Sequence, residues 1–104
     1  MTHDETVKCV IREVNTMRKK LGLKQIRKLR RGYPGKANGC PIANSVRAGA
    51  PEGSTVSVGF TGMAFYTDGK RMLTQYPTNS CCAEFIRDFD HGKFREYRMA
   101  KGGE

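Results

Sequence analysis

Tryptophan is missing from this 104-residue chain, and only 38% of its residues are hydrophobic. A chain of this length buries roughly 60–70% of its extended surface on folding, so it supports one modest core, and residues 1–104 read as a single domain. A TIM barrel or a two-domain dinucleotide-binding enzyme is excluded by length. No uninterrupted run of about 18 apolar residues occurs, so no membrane-spanning helix is expected. The opening Met1-Thr2-His3-Asp4-Glu5 is acidic and is not followed by an apolar stretch, so no secretory signal is expected. Four cysteines in that context fit a reducing cytoplasm better than a disulfide scaffold.

Acidic residues are scarce where basic ones are dense. Residues 1–50 hold twelve Lys/Arg against three acids, whereas residues 51–104 hold seven of each. The whole net charge of +9 therefore belongs to the first half. No acid falls between Glu13 and Glu52, while nine basic residues lie from Arg18 to Lys36. Such a block repels itself, and a partner of opposite charge would relieve it.

The apolar spacing predicts an α+β fold. Val7, Val10, Ile11, Val14, Met17 and Leu21 form the stripe of an amphipathic helix over 3–21. Thr2 and Glu5 have capping-box spacing at its start, and Gly22 is placed to end it in the left-handed conformation. Residues 23–39 form a basic, Gly/Pro-rich loop, in which Leu23, Ile26 and Leu29 can anchor an extended chain to the core. Cys40-Pro41 opens a short helix over 40–48, with Ile42, Ala43 and Val46 inward. A three-stranded antiparallel meander is expected over 54–76, with Val56, Val58 and Phe60 on the buried face and a type I′ turn at Asp68-Gly69. Pro77 precedes a closing helix over 78–90, whose stripe is Cys82, Phe85, Ile86 and Phe89 and whose end is Gly92. Phe94 and Tyr97 return to the core, and residues 100–104 should fray.

Two segments resemble a known family. Residues 32–46, G-Y-P-G-K-A-N-G-C-P-I-A-N-S-V, and residues 77–94, with E-F-I-R-D-F-D-H-G-K-F at their centre, follow its paired G-x-x-G…C-P-[IL]-A and E-F-[IV]-R-x-F-D-x-G-x-[FY] motifs. The family comprises small proteins of actinobacteria and actinobacteriophages, to which no common activity is attached. The resemblance implies a phage-like origin and work in a bacterial cytoplasm.

The basic stretch is the leading functional candidate. Arg18, Lys19, Lys20, Lys24, Arg27, Lys28, Arg30, Arg31 and Lys36 can neutralise successive phosphates and release counterions, giving salt-sensitive affinity for DNA or RNA without sequence preference. Tyr33 beside them can stack on an unpaired base. The plain alternative is a solvated cationic face that only maintains solubility. No helix-turn-helix, zinc-finger or RRM signature points to base reading.

Other chemistry is weakly signalled. The turn around Pro34-Gly35-Lys36 lacks the Gly-Lys-Ser/Thr of a phosphate loop and serves more simply as a route into the next helix. Cys40 at a helix start can in principle be a low-pKa thiolate, but a buried cysteine is the ordinary reading for Cys40 and Cys82. Arg47 is one residue too far from Cys40 for a C-x5-R loop. The spacing of His3, Cys9, Cys40, Cys81, Cys82 and His91 indicates no metal, and no cofactor is expected. Glu84, Asp88 and Asp90 beside Arg87 read as surface ion pairs. No nucleophile–base pair can be assembled, so a non-enzymatic binding protein is expected. The second reading is a modulator that docks on an acidic host protein, with Tyr66, Tyr76, Met63 and Met72 as a contact patch. Homodimerisation through an edge strand such as 54–60 is a further arrangement the pattern allows. Membrane association is not expected.

Overall fold

The computed structural model describes residues 2–67, 69–76 and 80–99. The fold is α+β: helix α1 (His3–Lys20), short helix α2 (Pro41–Arg47), strands β1 (Thr55–Val58), β2 (Gly62–Thr67) and β3 (Lys70–Gln75), helix α3 (Cys81–Asp90) and a final 3₁₀ turn (Arg95–Tyr97). The strands form one antiparallel sheet in the order β1-β2-β3.

Local chemistry sets the helix ends. Thr2 and Glu5 close the expected capping box, each side chain accepting from the other's backbone N–H. At the other end Leu23 N donates to Arg18 O, with Gly22 at φ 74, the left-handed position that favours glycine. Cys40 caps α2 through its Sγ, which accepts from Ala43 N at 3.4 Å. Ser80 caps α3, which starts at Cys81; residues 78 and 79, the expected start of the closing helix, lie outside the described residues. The turn residue Asp68, the breaker Pro77 and the tail 100–104 lie outside the described residues.

The helices pack together, α1 against α2 and α3, and α2 lies on β1. Val10, Val14, Met17, Ile42, Val46, Val56, Phe65, Phe85, Phe89 and Phe94 share one core. Each fully buried aliphatic or aromatic side chain contributes about 1.5–3 kcal/mol relative to exposure. The sheet buries alternate residues on one side, Val56 and Val58 with Met63 and Phe65. Phe60 departs from expectation: β1 ends at Val58, the alternation stops there, and Phe60 is 47% exposed.

The cysteines also depart from expectation. Cys9 of α1 and Cys81 at the start of α3 form a disulfide, their Cα atoms 6.2 Å apart. Spacing in the chain could not bring together residues 72 positions apart; the packing of α1 on α3 does. Cys40 and Cys82 are free and buried, in keeping with the hydrophobic reading. Burial pushes the Cys40 thiol up, which argues against a thiolate there, and pushes Cys82 up to about 12.

The ion pairs expected on α3 do not form among the described residues, where the one contact between a carboxylate and a basic side chain is His3 Nε2 with Glu96 Oε2 at 2.7 Å. Asp90 instead accepts from Gly35 N at 2.9 Å, tying the glycine-rich turn to α3.

Candidate nucleic-acid interface

The nine cations from Arg18 to Lys36 divide into one buried residue and eight exposed ones. Arg18 is only 4% exposed. Its Nε donates to Lys24 O at 2.6 Å, and its Nη1 donates to the carbonyls of Ser45 (2.9 Å), Val46 (3.1 Å) and Ala48 (2.6 Å). These carbonyls are the negative end of α2, so the guanidinium satisfies acceptors that the helix leaves without partners. Burial lowers the Arg18 pKa and the neighbouring charge of Arg30 lowers it further, yet a guanidinium keeps its proton in proteins. Arg18 is therefore a structural residue and not a surface contact, which corrects its place among the expected binding residues.

Lys19, Lys20, Lys24, Arg27, Lys28, Arg30, Arg31 and Lys36 are exposed, and none has a carboxylate partner within 4 Å among the described residues. The chain that carries them is nonetheless held firmly. Asn15 brackets Ile26 with two hydrogen bonds, Nδ2 to Ile26 O at 3.0 Å and Ile26 N to Oδ1 at 2.8 Å. Leu29 is buried, and Arg30 N donates to Ser45 Oγ at 2.8 Å. Gly32 then pairs in parallel with Arg98, Gly32 N donating to Tyr97 O and Met99 N to Gly32 O, both at 2.8 Å.

This arrangement gathers part of the expected set into one cleft. Arg30, Arg31, Tyr33, Gly39, Asn44, Arg47, Ala48, Gly49 and Met99 line an open cavity of about 730 Å³. Arg47 is held within it: its Nη1 donates to Asn38 O at 3.1 Å and its Nη2 to Asn44 Oδ1 at 2.6 Å. Asn44 is fixed in turn, its Nδ2 donating to the carbonyls of Arg31 (2.9 Å) and Gly39 (3.2 Å). The side chains of Arg30 and Arg31 have no hydrogen-bond partner among the described residues.

The remaining cations do not all join this cleft. Lys20 lines a separate depression with Lys70 and Arg71, and Lys36 lines a third, which also contains Asp90. Sequence reasoning missed Arg47, Asn44 and Met99. The i, i+3 spacing of Asn44 and Arg47 on α2 was a usable signal for a shared helix face. Met99 carried none, since only the Gly32–Arg98 bridge brings it there.

The aromatic–methionine patch is split by the sheet. Met63 is buried and Met72 pairs with Phe65 on the core side, whereas Tyr66 points outward. Tyr76 donates its hydroxyl to Gly59 O and Gly62 O. β1 is an edge strand, but Val58 N already donates to Ala37 O at 2.8 Å. Among the described residues no group of three His, Cys, Asp or Glu is placed to hold a metal, and no helix is long and apolar enough to cross a membrane.

In comparisons with known proteins, no family model, no curated protein and no solved structure matches the chain.

Proposed function

We propose that this chain is a non-enzymatic protein that binds DNA or RNA through the phosphate backbone, without sequence preference. The interface centres on the cleft that Arg30, Arg31 and Tyr33 share with Arg47 of α2, and draws further charge from the exposed Lys19, Lys20, Lys24, Arg27, Lys28 and Lys36, of which Lys20 and Lys36 stand in separate depressions. One observation carries the reading: these cations are exposed on an anchored backbone and lack carboxylate partners among the described residues. With no described carboxylate beside them, a polyanion gains their attraction and releases its own counterions. The convergence of Arg30, Arg31 and Arg47 on one cleft concentrates part of that field.

The test is a fluorescence titration with generic DNA and RNA at two salt concentrations. With about four phosphates neutralised, a fourfold rise in salt weakens duplex binding by about a hundredfold. Replacing Lys24, Arg27, Lys28, Arg30 and Arg31 with Ser or Gln abolishes binding at the lower salt while leaving the fold intact. No binding at low salt, together with recovery of a specific acidic host protein in a pull-down, would instead establish the modulator reading.

The phage-like origin implied by the two motifs goes with this proposal, as does a cytoplasmic place of action beside host nucleic acid. The Cys9–Cys81 bridge is the feature that runs against that compartment, because cytosolic reductants keep thiols reduced. Its state in cells is a direct test of the placement.

A further inference from the structure

We propose that the cleft between α2 and the 30–33 segment seats an unpaired nucleotide, so that the protein prefers single-stranded nucleic acid to duplex. The inference rests on the nucleic-acid reading above and narrows its ligand.

The lining of the cleft is the reason. A surface that serves only duplex phosphates needs cations, since the base faces are hidden in their own stack and sequence-independent affinity comes from the backbone. This cleft presents cations and apolar surface together: Tyr33, Ala48 and Met99 stand among three arginines. Met99 is 39% exposed despite being a large apolar side chain. An unpaired base offers a flat π-face to such a surface, and an aromatic ring accepts any base in that way. A volume of about 730 Å³ suits a ligand of nucleotide size, within the range of small-molecule clefts.

The polar groups are arranged to match. Arg47 is preorganised, because Asn38 O and Asn44 Oδ1 take one donor from each of its terminal nitrogens and leave its other N–H groups for a phosphate. Its position is set before the ligand arrives, so little side-chain freedom is lost on binding. The side chains of Arg30 and Arg31 have no partner among the described residues and can close on the phosphates that flank the seated base. Gly39 and Gly49 add no side chain to the lining, which leaves the backbone open to close approach. Each side of the cleft comes from a different part of the chain, and the Gly32–Arg98 bridge joins the 30–33 segment to Met99.

The experiment titrates the full chain with a short fluorescent single strand and with the duplex of the same sequence, at one salt concentration. The single strand is expected to bind at least about tenfold more tightly, and Tyr33→Leu to weaken it about tenfold while leaving duplex binding nearly unchanged. Met99→Ala repeats the test from another lining residue and keeps the backbone hydrogen bond of Tyr33 out of question, with circular dichroism confirming the fold of both variants. Duplex binding as tight as single-strand binding, or variants that weaken both equally, overturns the inference while salt-sensitive binding still upholds the broader reading. Failure to bind either ligand at low salt overturns both.

Discussion

Arg18 Nη1 donates to the carbonyl oxygen of Ala48 at 2.6 Å, so a cation from the first helix closes the end of the second. The same guanidinium reaches back to Lys24 O and thereby fixes the start of the basic segment. A residue that by charge belongs with the binding surface is thus the joint between α1, α2 and the chain that carries that surface.

Arg18 and its neighbours should therefore separate in mutagenesis. Arg18→Met removes a charged donor from four buried or part-buried carbonyls and should cost roughly 3 kcal/mol or more of stability, read from chemical denaturation. Lys24→Ser or Arg27→Ser, on exposed side chains without partners among the described residues, should stay within about 0.5 kcal/mol of the parent and change only polyanion affinity. Equal losses of stability from the two kinds of change would contradict this division.

The disulfide should be measurable by thiol count and by stability. Denatured under non-reducing conditions, the chain should show two reactive thiols, those of Cys40 and Cys82, and four after reduction. Closing a loop between residues 72 apart restricts the unfolded chain, and its loss in the Cys9→Ala/Cys81→Ala variant should cost about 4 kcal/mol. Four thiols in freshly lysed, alkylated cells would mean that the protein works with the bridge open.

Gly32 should tolerate no side chain. A Cβ there would overlap backbone atoms of Gly39, Cys40 and Pro41. Gly32→Ala is expected to destabilise the fold by roughly 1–3 kcal/mol and to loosen the cleft. Gly39→Ala is the matched control, since its added methyl meets only Lys36 Cβ at an ordinary 3.5 Å. Thermal denaturation of the pair decides it, and similar midpoints would show that the close approach is not required.

Alkaline pH should weaken the fold through the buried thiols. Burial raises Cys82 to about 12, and the nearby Glu13 and Cys40 act in the same direction; burial also raises Cys40. A thiol raised in the folded state contributes stability that is fully present below its unfolded value near 9 and is lost as pH rises toward 12. Over that window the unfolded chain sheds a proton that the folded chain keeps. The denaturation midpoint should fall as pH rises above 9, with a slope of up to about 1.4 kcal/mol per pH unit for one thiol. Cys82→Ala should flatten that slope, and an unchanged slope would assign the effect elsewhere, with Tyr76, also raised by burial, as the next group to test.

The helices, their caps and the meander were legible because each is written in local periodicity. Val10, Val14 and Met17 recur at helical spacing, Thr2 and Glu5 stand three residues apart, and Val56 and Val58 alternate with polar neighbours. The same local rules overreached at Phe60, where the apolar/polar pattern of the sequence continues past the end of β1, and on α3, where charge proximity in sequence did not produce ion pairs among the described residues. Phe94 illustrates the other limit: it returns to the core as its hydrophobicity suggests, but at φ 56, a left-handed position that nothing in a phenylalanine announces.

By itself, then, the sequence determined the fold class, the order of elements and the uneven distribution of charge, all of which depend on residues close together along the chain. The tertiary structure alone decided which cation is buried, which cysteines meet and which side chains share a cleft. Arg18 is hidden because the end of α2 supplies carbonyls to it, and Cys9 meets Cys81 because α1 packs on α3. Arg47 and Met99 join Tyr33 because the Gly32–Arg98 bridge and the docking of α2 close distances that no spacing rule encodes.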